Sequence, residues 1–223
     1  KKVYVIDYDY EATGLINIFK TSKKKKKKNG LIEYLNDRKF IKDTSIEDYV
    51  YGIEKIYSGS GVIKLMPAGN ILSTNDDLLN YLEGLAKIDL QGKQLVNIFD
   101  EIIEEINKKY SPDVILVDSR TGFNNVFGSL AKISSTVIVL AGDDIQNQPG
   151  IEYVVKTLNE MDVNSCFILS ILSNNINKRF NNFKNYIQGI SSFNTDTFYF
   201  DRQDTLDYIG TPLEDKDDLD DFI

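Results

Sequence analysis

Two segments of the chain decide its fold: VIDYDYEATGL at residues 5–15 and PDVILVDSRTGF at residues 112–123. In each segment a short apolar run is followed directly by an aspartate, Asp7 or Asp118, and a few residues later by a glycine. The carboxyl ends of parallel strands lie along one edge of a sheet, and ligands bind there. Mg²⁺ takes one or two carboxylates together with waters and phosphate oxygens. The two segments therefore predict a magnesium-dependent polyphosphate site at a strand-end edge.

Similar apolar runs predict the remaining strands. Six strands are expected in all: Val3–Ile6, Gly61–Met66, Asp113–Val117, Thr136–Ala141, Cys166–Leu172 and Asp196–Phe200. The runs are nearly continuous rather than alternating, which is typical of strands that are covered on both faces.

Helical patterns separate these strands. The clearest covers Leu90–Lys109, where apolar residues recur at three- and four-residue steps and predict one apolar stripe, with acidic residues such as Glu105 facing elsewhere. Weaker patterns predict helices at Leu31–Asn36, Phe123–Ile133 and Ile151–Asn159. Strands that alternate with helices indicate an α/β fold, a three-layer α/β/α arrangement around a mostly parallel sheet. We find no break in composition and expect a single domain over residues 1–223.

The composition excludes several classes of site. The chain of 223 residues has a formal net charge of −8, no histidine and one cysteine, Cys166. Without histidine there is no imidazole acid–base catalysis and no Ser-His-Asp triad, and a single cysteine forms no internal disulfide framework. No apolar run approaches the roughly 20 residues of a bilayer-spanning helix. We expect a cytoplasmic protein whose chemistry depends on carboxylates, lysine, arginine, hydroxyls, backbone amides and a hard metal ion.

Both deciding segments resemble those of the ParA/MinD-type ATPases, the deviant Walker A class of P-loop ATPases. Residues 5–15 are similar to that family's second strand and switch I, and residues 112–123 to its Walker B strand and switch II. Three further segments resemble the family in the expected order: Val62–Gly69, Val137–Gly150 and Phe167–Asn175. The DSRTGF form is closest to a subgroup whose phosphate-binding loop reads KGGVGR rather than KGGVGK.

The resemblance implies a role for each matched position. Asp118 would hold the Mg²⁺ shell through water, and Asp7 would support the same shell. Asp9 would orient the water that attacks the γ-phosphate. Gly122, which has no Cβ, would let switch II approach that phosphate closely. Asn174 would contact the edge of the adenine.

The chain departs from the family pattern in two places. Arg120 stands where a small residue or proline is commoner, and both a phosphate contact and a structural ion pair are open roles for it. More importantly, no G-x-x-x-x-G-K-[ST] stretch occurs in the sequence. Without that loop the amide nest and the lysine that hold the β- and γ-phosphates are missing. In the family the loop comes just before the segment that begins here at Lys1, so we expect native sequence upstream and poor nucleotide binding by these 223 residues alone.

The function that the resemblance implies is that of a Mg²⁺-dependent ATP hydrolase. Such a protein would act as a nucleotide-controlled dimerisation switch, with ATP and Mg²⁺ as cofactors, and would serve a partner protein or a DNA or membrane system. Two alternatives stay open. One is a non-catalytic interaction module that kept the fold and lost the loop. The other is a receiver-like signalling domain, although Asp9 and Asp118 lie far apart in sequence for one.

Two charged segments lie outside the motifs. One is the lysine run Lys23, Lys24, Lys25, Lys26, Lys27 and Lys28, and the other is an acidic C-terminal tail at residues 214–223. A run of like charges is most often a solvated surface loop. Contact of the lysine run with DNA, an acidic membrane surface or an acidic partner stays open, and such contact would weaken steeply with salt.

Overall fold

The computed structural model describes residues 1–10, 13–19, 29–41, 43–54, 60–70, 75–88, 92–119, 122, 125–172, 174–191 and 195–202. Arg120, the lysine run and the acidic tail lie outside these residues. The chain forms two compact units, Lys1–Thr121 and a second that begins at Gly122. Each unit has its own sheet, and the single domain that the sequence suggests stays a prediction.

The first unit contains four strands. Its elements are β1 Lys2–Asp7, α1 Leu15–Ile18, α2 Leu31–Phe40, a 3₁₀ turn Ile46–Tyr49, β2 Tyr51–Gly52, β3 Val62–Met66, α3 Asn75–Ala86, α4 Gly92–Tyr110 and β4 Val114–Asp118. The strand order is β2-β3-β1-β4. β1 pairs in parallel with both β3 and β4, while the short β2 pairs with β3 in the antiparallel sense. β1 therefore lies in the interior of this sheet and carries Asp7 at its carboxyl end.

Helix α4 presents the apolar stripe that its sequence predicts. Leu95, Phe99, Ile102 and Ile106 on this helix are fully buried, and burial of each side chain contributes roughly 1.5–3 kcal/mol. The ring of Phe99 meets that of Tyr8 edge-on at a centroid distance of 4.9 Å, which joins the helix to the segment after β1.

Glu105 on α4 makes two specific contacts. Its carboxylate accepts hydrogen bonds from the hydroxyl of Tyr34 and from the backbone N–H of Ile46, the latter at 3.1 Å. The acidic face of α4 is therefore used to hold α2 and the 3₁₀ turn.

The Pro67-Ala68-Gly69 turn after β3 receives the start of α2. The backbone N–H of Leu31 donates to the carbonyl of Pro67 at 2.8 Å, and that of Ile32 to the carbonyl of Ala68 at 3.0 Å. A Cβ atom on Gly30 would lie 2.0 Å from the Pro67 carbonyl oxygen. Gly30 is therefore required by close approach of two backbone segments.

The second unit alternates helices with parallel strands. Its elements are α5 Asn125–Ile133, β5 Val137–Ala141, α6 Gln148–Glu160, β6 Ser165–Leu172, α7 Ile176–Ile190 and β7 Asp196–Asp201. The strand order is β5-β6-β7, and both pairings are parallel. Val155, Leu158, Phe167, Leu169 and Ile187 form the buried centre of this unit.

The α/β class with a mostly parallel sheet is confirmed, and each of the six expected strands is present within two residues of its predicted ends. The expectation that all strands are covered on both faces is wrong for β4, β5 and β7. Leu116 on β4 is 45% exposed and Leu140 on β5 is 65% exposed. The physical reason is position, because each of these strands lies at an edge of its sheet.

Among the described residues, we find no helix whose length and apolar character would allow it to cross a bilayer.

Candidate functional site

The carboxylates of Asp7 and Asp118 are brought together by strand pairing. In the parallel ladder between β1 and β4, Asp7 is the register partner of Asp118. Neighbouring strands lie roughly 4.8 Å apart, and paired residues of a parallel ladder point to the same face. The ladder continues one step beyond the pair, where the N–H of Tyr8 donates to the carbonyl of Asp118 at 2.8 Å. Two residues separated by 111 positions thus form one strand-end site.

Asp9 completes the acidic group through a local turn. Its backbone N–H donates to Oδ1 of Asp7 at 3.1 Å, a side chain to backbone bond that aspartate commonly makes two residues on. Its carboxylate acts electrostatically on both other aspartates, because its negative charge raises the pKa of Asp7 and of Asp118. The three aspartates that the sequence singles out therefore lie in one neighbourhood of the first unit.

Asp7 is the most perturbed of the three. Its side chain is almost fully buried, at 1% exposure. Burial, together with the charges of Asp118 and Asp9, raises its pKa to about 6, while the backbone N–H groups of Asp9 and Leu15 act in the opposite direction. Its Oδ2 atom is buried and has no hydrogen-bond partner among the described residues. A buried acceptor without a partner costs about 1–3 kcal/mol, so a donor or cation other than the described residues would stabilise this atom.

The pKa of Asp118 is also raised. Partial desolvation is the larger cause, and the negative charge of Asp9 is the second. Burial and nearby negative charge disfavour the ionised forms of Asp7 and Asp118. A bound cation would stabilise both carboxylates, because its positive charge opposes these two effects.

The donor set fits Mg²⁺ bound to a polyphosphate better than a metal held by protein alone. Among the described residues, no three Asp, Glu or Cys side chains converge closely enough to hold a metal ion. Mg²⁺ needs only one or two carboxylates, since it keeps several waters and takes phosphate oxygens as its other ligands. The buried free oxygen of Asp7 and the exposed carboxylate of Asp118 meet that requirement.

The loop that follows β1 is held at Tyr10 by helix α3. The hydroxyl of Tyr81 on α3 donates to the carbonyl of Tyr10 at 2.8 Å and so anchors the loop. The Tyr81 ring also packs against Gly69, where a Cβ atom would lie 2.4 Å from it. Thr13, in the same loop, has a buried hydroxyl with no hydrogen-bond partner among the described residues.

Thr13 and Tyr81 are residues of this neighbourhood that the sequence argument missed. Thr13 could have been found from the sequence, because it lies four residues after Asp9 in the same VIDYDYEATGL segment and a hydroxyl can serve as a ligand or donor. Tyr81 gives no such signal, since its contact with Tyr10 spans 71 residues of sequence.

The other candidate residues lie in the second unit or outside the described residues. Gly122 has a φ of +89°, a conformation that favours glycine, and no atom of the described residues would contact a Cβ built there. Asn174 is exposed and comes directly before Asn175, the left-handed residue at the start of α7. Arg120 lies outside the described residues.

Of three comparisons with known proteins, only the comparison with solved structures finds matches. No family model matches the sequence, and no curated protein matches it. Solved structures do match, among them MinD with Mg-ADP from Pyrococcus horikoshii OT3, at 15% identity and a TM-score of 0.62, covering 93% of this chain and 72% of that one. The MinC:MinD complex of Aquifex aeolicus matches at 15% identity and a TM-score of 0.61, covering 94% and 73%.

A third solved structure is the ParA of pNOB8 bound to nonspecific DNA, at 11% identity and a TM-score of 0.58, covering 100% of this chain and 81% of that one. Identities this low carry the fold alone. The chain therefore has a ParA/MinD-type fold, that of P-loop ATPases.

Proposed function

We propose that this chain carries the magnesium-binding residues and the switch segments of an ATP-hydrolysing molecular switch. The observation that carries the proposal is the pairing of Asp7 with Asp118 at the ends of β1 and β4, beside Asp9. Structures of similar fold are described with Mg-ADP bound, in a complex with a partner protein and on DNA. In this protein ATP and Mg²⁺ are the proposed cofactors.

Each aspartate has a separate task in this proposal. Asp118, which is exposed, holds waters of the Mg²⁺ shell, and buried Asp7 fixes that shell through its free Oδ2 atom. Asp9 orients the attacking water from the loop beyond β1. The bound Mg²⁺ neutralises charge that develops on the phosphate oxygens during transfer. Gly122 and Asn174 are proposed to contact the γ-phosphate and the adenine, respectively.

The proposal requires a phosphate-binding loop from polypeptide other than these 223 residues, because their sequence contains no G-x-x-x-x-G-K-[ST] stretch. The exposed side of β4 supports this proposal. Val114 and Leu116 are 39% and 45% exposed on a strand at the edge of its sheet. Parallel strands are normally covered on both faces, so an added strand and helix beside β4 would complete it.

The test is ATP turnover and ATP-dependent self-association of the product of the whole gene. We expect Asp9→Ala to abolish turnover while keeping MgATP binding, so that an ATP-bound dimer accumulates. Asp118→Asn should lower turnover at least a hundredfold. The matched control is Asp201→Asn, an exposed aspartate at the end of β7, which should hydrolyse ATP like the wild type. ATP turnover at the wild-type rate in Asp9→Ala would contradict the proposal.

A second candidate function, a non-catalytic interaction module, is favoured by the missing loop sequence. It predicts that the whole gene product neither binds nor hydrolyses ATP. A homodimer and a partner protein belong to the first proposal, and DNA or membrane contact through the lysine run belongs to it as well. The lysine contact is tested by the salt dependence of binding to DNA or to acidic vesicles, which should be steep.

A further inference from the structure

Helix α3 has a wide apolar face, and the core covers only part of it. Tyr81 and Gly84 face inward and are buried. Leu78, Leu79 and Leu82 are exposed by 40%, 60% and 50%, respectively. With about 3.6 residues per turn, these leucines fall within a sector of roughly 100°, which half-buried Leu85 joins to the buried side. We call this sector the leucine stripe.

The leucine stripe is a contiguous feature rather than scattered exposure. Single exposed leucines are ordinary on protein surfaces. Here Leu78 and Leu82 are one turn apart, Leu79 lies beside them, and exposed Ala86 continues the line by another turn. Exposed apolar patches of this kind with polar borders mark interaction sites.

The border of the leucine stripe on its outer side is acidic. Asp76 and Glu83 are both exposed and follow Leu79 around the helix. Glu83 pairs with Lys87 at 3.6 Å, and both side chains are more than 60% exposed. Such an exposed pair contributes little, so Glu83 stays available to an incoming cation. The chain as a whole carries a net charge of −8, which also attracts a basic partner.

We propose that the leucine stripe binds a basic amphipathic helix of a partner protein. Such a helix places apolar side chains at positions i, i+3, i+4 and i+7 against a hydrophobic surface. Lysine or arginine beside those anchors would meet Asp76 and Glu83. Binding uses the outer face of α3, so it does not require nucleotide and stands independently of the proposed ATPase activity.

A second copy of the chain fits this surface less well. The exposed area is on the order of a few hundred Å², well below the roughly 800 Å² per partner of a stable interface. Two copies would also bring net charges of −8 together, and like charges disfavour association. A small stripe with an acidic border suits a short, basic and transient partner.

The experiment uses a labelled 18-residue helical peptide with leucine at positions i, i+3, i+4 and i+7 and lysine at the exposed positions, titrated by fluorescence anisotropy. The double variant Leu79→Gln/Leu82→Gln should weaken the Kd at least tenfold without a change of net charge. Asn80→Gln, on the polar side of α3, should leave the Kd within twofold. Circular dichroism should show the same fold for both variants, because the three side chains are exposed.

Two further peptides decide between charge and apolar contact. A peptide with the same leucines and glutamate in place of lysine should bind at least tenfold more weakly, and one with serine in place of leucine should not bind. The proposal is overturned if the Leu79→Gln/Leu82→Gln variant binds the basic peptide as tightly as the wild type, or if the acidic peptide binds equally well. Concentration-dependent self-association that disappears in this variant would assign the stripe to a second copy and overturn it as well.

Discussion

Asp7 and Asp118 are register partners at the carboxyl ends of β1 and β4, and one buried oxygen of Asp7 has no hydrogen-bond partner among the described residues. This arrangement is unfavourable for the folded chain by itself, because burial and like charge both disfavour the ionised carboxylate. A site that is costly without its ligand and favourable with it is a common feature of binding sites. The first prediction follows from this cost.

Asp7→Asn should stabilise the protein at neutral pH. The pKa of Asp7 is raised to about 6 from an ordinary value of 3.8, so its favourable contribution is present below pH 3.8 and is lost as the pH rises through 6. Relative to the variant, the wild type should lose roughly 3 kcal/mol of unfolding free energy between pH 3 and pH 7, at about 1.4 kcal/mol per tenfold change in proton affinity. Urea denaturation in EDTA at both pH values measures this. Asp201→Asn is the exposed control, and a similar gain there would contradict the explanation.

Gly30→Ala should destabilise the first unit. The new Cβ would lie 2.0 Å from the Pro67 carbonyl oxygen, so α2 must move away from the turn after β3, at a cost of about 1–3 kcal/mol. Gly189→Ala on α7 is the matched control. No atom lies near its added Cβ, and alanine is the better helix former by about 0.5–1 kcal/mol. Thermal melts followed by circular dichroism should therefore move in opposite directions, and equal melting temperatures would show that the turn tolerates the methyl group.

Arg179→Gln should weaken the second unit in a pH-dependent manner. The guanidinium of Arg179 on α7 holds the Asp143 carboxylate after β5, with Nε donating to Oδ2 at 2.6 Å and a second bond from Nη2 to Oδ1. These bonds lower the pKa of Asp143, so their contribution is present above the ordinary aspartate pKa and is lost as the pH falls below it. We expect a loss of about 1–2 kcal/mol at pH 7, and a smaller loss at pH 2.5.

Lys156→Gln provides the control for that prediction. The Lys156–Glu152 ion pair lies within α6 and is well exposed on both sides. Exposed pairs contribute little, so denaturant midpoints should not change. A loss as large as that of Arg179→Gln would mean that net charge, rather than the paired geometry, sets the effect.

The sequence predicts the strand ends well because each needs only local information. An apolar run followed by aspartate identifies both Asp7 and Asp118, and right-handed parallel connections bring such ends to one edge. The hydrogen bond between Tyr81 and Tyr10 is not predictable in this way, because it depends on where α3 packs. The same holds for the buried oxygen of Asp7 that has no partner among the described residues, because its burial depends on tertiary packing.

The sequence patterns did not predict helices α3 and α7, and the physical reason differs between the two. In α3, three leucines lie on the exposed side and Tyr81 on the buried side, so the sequence does not show which apolar residues face the core. In α7, Phe183 and Ile187 form a stripe at helical spacing, but asparagine residues of low helix propensity surround it, and tertiary packing decides. The leucines of β4 and β5 led to the opposite error, because they predicted covered strands and are exposed. Apolar composition alone does not distinguish an edge strand from a central one.

The most direct test of the central claim is the Mg²⁺ dependence of ATP affinity in the product of the whole gene, measured with and without Asp118→Asn. If Asp118 and Asp7 hold the magnesium shell, Mg²⁺ should strengthen ATP binding at least tenfold in the wild type, and this strengthening should vanish in the variant while binding without Mg²⁺ is unchanged or tighter. An equal strengthening by Mg²⁺ in Asp118→Asn would contradict the account, because the paired strand-end carboxylates would then have no part in holding the metal.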